Sequence, residues 1–198
     1  SNLFRKLEAW NRERDAAGDA GPVRYYAIGR KAYQYLSKTG RDVHRYFAEP
    51  VLEKMSYATA ESNARQLTQD FLSGELRDVH VMFTAFESMA SYVPRVFQLL
   101  PLVFEESEEE NTTGDLIFEP DPETIFETIV PRYVVTRVYN AMLEALTSEF
   151  ASRRVSMKNA TDAASDMQQV LKAQYNRLRQ ESITTELLDI VGGAEALR

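Results

Sequence analysis

The segment PRYVVTRVYNAMLEALTSEFASRRVSMKNATDAASDMQQVLKAQYNRLRQESITTELLDI, residues 131–190, runs for sixty positions without a glycine or a second proline. Those two residues are the strongest local breakers of regular structure, so their absence over such a span predicts one continuous helix. At 1.5 Å per residue it would be about 90 Å long, more than the width of a domain of this size. Asp121-Pro122-Glu123 supplies a start signal, because an aspartate can cap free amides and proline at the first helical position sacrifices no bond. Pro131 is expected to interrupt the helix and Gly192-Gly193 to stop it. Val135, Val138, Met142, Met157, Ala160, Ala164, Met167, Leu171, Tyr175 and Leu178 recur at three- and four-residue steps, the spacing of a coiled-coil seam. No other segment is long enough to cover that seam. Its partner is therefore expected from a preceding segment of the same polypeptide or from another chain, and an uncovered stripe would invite self-association.

The first half reads differently. Leu3, Phe4, Leu7 and Trp10 fall at helical spacing over residues 3–17, before the break at Gly18-Asp19-Ala20-Gly21-Pro22. Residues 23–28 and 43–48 are rich in aromatic and β-branched side chains and predict strands, separated by a helix over 31–36 that ends near Gly40. Thr59-Ala60-Glu61-Ser62 opens a third helix carrying Ala64, Leu67, Phe71 and Leu72, closing at Gly74, and residues 79–83 predict another strand. This alternation predicts an α/β domain, a Rossmann-like and mostly parallel sheet covered on both faces. The β-rich stretch 92–104, interrupted by Pro94 and Pro101, is placed at an edge or a bend. The organisation expected is an α/β domain over residues 1–120, then a long coiled-coil helix over 121–198.

Composition narrows the function. In 198 residues, 44% are hydrophobic and 27% charged, which suits an ordinary globular chain and leaves no apolar run near the ~20 residues a membrane helix needs. Thirty acidic against 23 basic residues leave a net charge of −7, which disfavours a nucleic-acid partner. The absence of cysteine removes disulfides and thiol chemistry. Eight glycines form no phosphate-binding fingerprint, so no nucleotide cofactor is expected, and His44 and His80 lack metal-ligand spacing and read as structural or exposed. The acidic run 105–110 reads as a solvated loop, and Asn111-Thr112-Thr113 matches a glycosylation acceptor that has meaning only in a secreted chain. The chain begins at Ser1 rather than at a methionine and reads as part of a longer product.

The ending ITTELLDIVGGAEA, residues 183–196, strongly resembles the signature that closes the gamma subunit of F-type ATP synthases. Upstream, Pro131-Arg132-Tyr133, Leu143-Glu144, Ser148-Glu149, Arg153, Met157-Lys158-Asn159-Ala160-Thr161-Asp162, Tyr175-Asn176-Arg177 and Arg179-Gln180 resemble the long C-terminal helix of the same family, in the same order. Glu119-Pro120-Asp121-Pro122, Leu99-Leu100-Pro101-Leu102 and Asn2-Leu3-Phe4 resemble its central domain.

The resemblance implies a rotary central stalk without bond-making chemistry of its own, not an enzyme as an isolated chain. In that family an N-terminal and a C-terminal helix form an antiparallel coiled coil inside a ring of alternating alpha and beta subunits. The α/β domain lies near the epsilon subunit and the membrane c-ring. The family's N-terminal helix and the strand just before Ser1 are not in this sequence. By resemblance, Arg179, Gln180, Thr184 and Glu186 contact the beta subunit near the top of the shaft, Arg153 occupies a basic position tied to coupling with beta, and Leu187, Leu188, Ile190 and Val191 lie in an apolar bearing. Arg154 stands where the family more often has an apolar residue, and Phe150 is bulkier than usual. The location implied is the cytoplasmic face of a bacterial inner membrane or the matrix face of the mitochondrial one, as a peripheral complex. The alternative is an unrelated coiled-coil scaffold with an α/β head.

Overall fold

Residues 2–18, 21–48, 55–103 and 122–195 are described by the structure, a computed structural model. The acidic run, the glycosylation-like triplet and Asp121 lie outside them. Leu3, Phe4, Leu7 and Trp10 share one side of the first helix, α1 (Asn2–Ala16), which ends at Gly18 in the left-handed conformation that only glycine adopts freely. The strand β1 (Tyr25–Ile28) leads through α2 (Arg30–Lys38) to β2 (Val43–Phe47), and the strands pair in parallel with Ile28 opposite Phe47. Parallel neighbours need such a crossover. The third helix, α3 (Tyr57–Leu72), starts two residues earlier than the sequence suggests, because the Ser56 hydroxyl accepts a hydrogen bond from the Thr59 amide at 3.4 Å and caps it.

The α/β class and the long helix are both present. Among the described residues, however, parallel pairing is confined to β1 and β2. The strands β3 (Val79–Phe86) and β4 (Tyr92–Leu100) run antiparallel, with Val81 opposite Phe97 and Phe83 opposite Arg95. The physical reason is the link between them. Only residues 87–91 connect the strands, too few for a parallel crossover, and they close a turn in which the Glu87 amide donates to the Ser91 carbonyl at 3.1 Å and the Ser88 hydroxyl accepts from the Ser91 amide at 3.1 Å. Pro94 sits within β4 opposite Thr84; a strand with one free edge tolerates the lost donor. Among the described residues neither β1 nor β3 is paired along its second edge.

The fourth helix, α4 (Pro122–Glu195), is continuous through Pro131 and through Gly192-Gly193. Neither expected break occurs. Proline removes one amide and crowds the carbonyl four residues back, which one turn of a long helix absorbs, and neither glycine takes the left-handed conformation that would end it. Each glycine costs about 1 kcal/mol relative to alanine in a helix interior, far less than nucleating a new element.

The chain divides into two compact units, Ser1–Ala151 and Ser152–Arg198. In the first, Ala60, Ala64 and Leu67 of α3, Val79 of β3, Leu99 and Leu100 of β4, and Val134, Val135, Val138 and Met142 of α4 form one buried cluster. Ala60 is fully buried and Leu99 is 1% exposed, so small residues on α3 let the neighbouring elements approach closely. The buried Ser148 hydroxyl donates to the Thr84 carbonyl at 3.1 Å, adding a polar tie between α4 and β3. The single apolar stripe read from the sequence is thus two surfaces. Its first part, Val135, Val138 and Met142, is consumed by the chain's own core rather than by a coiled-coil partner.

Leu99→Ala should lower the free energy of unfolding by about 2–5 kcal/mol, measured by denaturant titration, because the side chain is buried within the core cluster. A loss below about 1 kcal/mol would mean that the α3–α4–β4 contact is not the core.

Candidate interaction surface on the long helix

In the second unit every residue from 156 to 194 is exposed. Met157, Met167, Leu171, Tyr175 and Leu178, all more than half exposed, lie with Ala160 and Ala164 within roughly a quarter of the helix circumference at about 100° per residue. Solvent-exposed apolar stripes of this length are rare on an isolated globular surface. The small Ala160 and Ala164 lie where a second helix could approach most closely.

Toward the C-terminal end, Arg179, Gln180, Thr184, Glu186, Leu187, Leu188, Ile190 and Val191 share one broad half of the helix, at about 100° per residue, with Ile183. Glu181, Ser182, Thr185 and Asp189 take the other half. Leu187 is 57% exposed and Leu188 66%, with Ile190 and Val191 similarly open. The Thr184 hydroxyl donates to the Gln180 carbonyl at 2.9 Å, and Thr185 does the same to Glu181 at 3.0 Å, so these hydroxyls are held along the helix. Arg177 Nε donates to Glu181 Oε1 at 2.9 Å on the polar side. Arg179 and Glu186 are exposed, carry opposite charges and stand at one border of the apolar half. Arg153 lies near the start of this unit, exposed and about seven turns of helix before Arg179, the nearest of the others. The structure therefore brings the C-terminal residues onto one surface and leaves Arg153 apart from them.

Within the first unit three polar clusters draw on groups that, His44 and His80 apart, no sequence motif marks. The Tyr26 hydroxyl donates to Asp70 at 2.7 Å, Gln66 Nε2 donates to the same carboxylate at 2.9 Å, and His44 Nε2 lies 4.0 Å away. Burial raises the Asp70 pKa, but the hydrogen bonds from Tyr26 and Gln66 and the nearby Arg45 and His44 outweigh it and hold the carboxyl below its usual range. Burial and the bond to Asp70 push the Tyr26 phenol upward. Arg41 bridges Glu8 at 2.6 Å and the Tyr25 hydroxyl at 3.0 Å, while Tyr35 donates to Glu8 at 3.0 Å and stacks on Phe4. His80 lies 3.7 Å from Asp78 and packs against Trp10. These clusters join α1, α2, α3 and the parallel ladder, and their partners are all supplied by the same body. Among the described residues no group of three His, Cys, Asp or Glu side chains could hold a metal, and no helix is long and apolar enough to cross a membrane.

An α/β body continued in sequence by a long, exposed, apolar-striped helix defines the class of chain by its fold. The comparisons identify which. A family model described as ATP synthase matches residues 1–197. The ATP synthase gamma chain of Geobacter metallireducens is 33% identical over 198 residues, covering all of this chain and 68% of that one. That of Mycolicibacterium gilvum is 40% identical over 190 residues, covering 87% of this chain and 61% of the relative. Two solved structures share the fold. A chain of the Euglena gracilis mitochondrial ATP synthase (OSCP/F1/c-ring) gives a TM-score of 0.56 at 20% identity, covering 96% of this chain and 67% of that one. One of the Tetrahymena thermophila mitochondrial ATP synthase central stalk/c-ring gives 0.51 at 24%, covering 68% and 58%. The chain belongs to the family of ATP synthase gamma chains. It spans 61% of the length of the first relatives it matches.

Removing the Tyr26 hydroxyl tests the first cluster. A carboxylate whose pKa is depressed by folding contributes stability above its unfolded pKa and loses it as pH falls through the folded value. Tyr26→Phe should cost roughly 1.5–3 kcal/mol at pH 7, as for hydrogen bonds to charged groups, with the difference from the parent shrinking below about pH 4 in denaturant melts. A cost equal at pH 3 and pH 7 would contradict the assignment.

Proposed function

We propose that this chain forms the shaft and body of a gamma subunit, the non-catalytic central rotor of an F-type ATP synthase. In this reading it couples ion flow through a membrane c-ring to ATP synthesis or hydrolysis at beta subunits. The observation that carries the reading is the exposed stripe of the second unit, continuous in sequence with a helix whose first part is locked into an α/β core. A helix anchored in that way can transmit torque, because turning the anchored part turns the remainder.

The stripe from Met157 to Leu178 would be covered by a second, antiparallel helix of the same polypeptide, giving the shaft the stiffness of a coiled coil. Arg179, Gln180, Thr184 and Glu186 then act as a catch against the beta subunit, where charge-assisted hydrogen bonds of about 1.5–3 kcal/mol each favour one rotor angle over another. Arg153 would engage beta at a separate level. Leu187, Leu188, Ile190 and Val191 serve as the bearing, since apolar contacts are non-directional and change little in energy on rotation. An asymmetric shaft biases the three catalytic sites toward different conformations through its differential contacts with each. The α/β body would face the epsilon subunit and the c-ring. The complex would sit peripherally on the cytoplasmic face of a bacterial inner membrane or the matrix face of the mitochondrial one. Neither nucleic acid nor a cofactor of its own has a place in this mechanism.

Replacing Arg179, Gln180, Thr184 and Glu186 together by alanine in the assembled synthase should cut ion-driven ATP synthesis by roughly tenfold or more, the loss expected for about 1.4 kcal/mol, while subunit composition stays unchanged. Unaltered coupled synthesis would overturn the catch. The isolated 198-residue chain should hydrolyse no ATP and should self-associate through its stripe; turnover, or a strictly monomeric species across a concentration series in sedimentation velocity, would count against the reading.

A further inference from the structure

Where α4 passes out of the first unit, its buried side chains become small. Val134, Val135, Val138 and Met142 fill the core, but the last buried positions of the helix are Ser148 and Ala151, and Ala85 of β3 is buried too. Apolar contacts are non-directional, and alanine has nothing beyond Cβ to interlock. A helix resting on such contacts is held against its body more firmly than it is held at one angle about its own axis. Among the described residues Ser148 is the one buried polar side chain of α4, 3% exposed, and its hydroxyl donates to the Thr84 carbonyl of β3 at 3.1 Å. That bond is unlike the other hydroxyl bonds of the helix. Thr128, Thr136, Thr147, Thr161, Thr184 and Thr185 each donate to the carbonyl four residues back in α4 itself, whereas Ser148 reaches across to a strand. Its acceptor is free for this use. The Glu87 amide donates to the Ser91 carbonyl directly across the hairpin, which makes 87 and 91 a bonded pair. Bonded and non-bonded pairs alternate along an antiparallel ladder, and the register is unbroken from His80 to Phe86, so Thr84 and Pro94 are a non-bonded pair. The Thr84 carbonyl therefore points away from β4, and Ser148 supplies its donor.

We infer that Ser148 is a positioning residue, whose bond to the Thr84 carbonyl sets the angle of α4 about its own axis at the point where the helix leaves the body. Neither packing nor propensity accounts for a serine here. Alanine fits the same space and favours a helix more, but it carries no donor. A hydrogen bond weakens steeply as its angle departs from the preferred one, so it resists a turn that apolar neighbours tolerate. The acceptor belongs to a strand backbone, which has no rotamer to follow the hydroxyl. Arg137 adds a looser restraint on the same helix, its guanidinium 4.3 Å from the centroid of the Phe97 ring of β4, since a ring face accepts a cation over a wider range of positions. The inference goes beyond the gamma-subunit reading and rests on it only for its consequence. In a rotor, a helix continuous from Pro122 to Glu195 passes on whatever angle is fixed at Ser148 to the catch and bearing residues.

The test uses the full-length polypeptide within its complex, carrying a genetically encoded spin label at the exposed Met89 of the β3–β4 turn. A second label is placed at Glu144 or, in a separate sample, at Leu146, the neighbours of Ala145 on the two flanks of the buried face. Pulsed dipolar spectroscopy then reads one distance for each flank. Turning α4 about its axis carries one flank toward the body and the other away. Ser148→Ala should therefore populate a displaced state in which one distance lengthens and the other shortens. Its share should rise roughly 2–12-fold over the parent, the factor that the loss of one net hydrogen bond supplies. Tyr35→Phe is the matched control: it also removes one hydroxyl bond from the unit, the one to Glu8, but lies outside the buried cluster that holds α4, and it should leave both distances as in the parent. Unchanged distances in Ser148→Ala would overturn the inference. So would two distances that lengthen together, which is a helix lifting off rather than turning, or an equal change in Tyr35→Phe. If the opposed shifts occur in a protein that has no alpha and beta partners, the role of Ser148 stands and the rotor reading fails.

Discussion

The structure depends on how one helix divides its apolar face. Val134, Val135, Val138 and Met142 of α4 close the core against Ala60, Ala64 and Leu67 of α3 and Leu99 and Leu100 of β4, and without them the two ladders have no common floor. Beyond Ala151 the same helix continues with the same kind of side chains and buries none of them. Helix propensity alone seldom sustains an element of this length in water, so the second part is stabilised by propagation from an anchored first part and by whatever covers its stripe.

The stripe from Met157 to Leu178 has the spacing of a seam for a second long helix, and the chain belongs to a family in which the first relatives it matches are longer than it is. In the proposed rotor, a helix clamped in its body at one end and paired along its length would resist bending and twisting better than a lone helix.

Much of this was legible in the residues. Sixty positions free of breakers gave away the helix, and β-branched and aromatic runs gave away β1, β2 and β3. The direction of the β3–β4 pair was hidden, because strand direction depends on the length and closure of residues 87–91 and not on the strands' own patterning. The division of the stripe was hidden too, since Val138 and Met167 recur with the same period whether the face meets its own core or an external helix. Gly192-Gly193 misled because a glycine pair ends a helix only where the following chain supplies the left-handed cap. The surface around Arg179 to Val191 has no compositional mark that separates it from an ordinary amphipathic helix. Resemblance to a family ending singled it out, and the structure adds that its C-terminal members share one half of the helix.

The most direct test of the central claim is native mass spectrometry of the complex recovered from source cells through a tag on this polypeptide. The account predicts one copy with three alpha and three beta subunits, on a polypeptide longer than 198 residues. A free homo-oligomer of the 22.6 kDa chain, with no alpha or beta subunit attached, would contradict it.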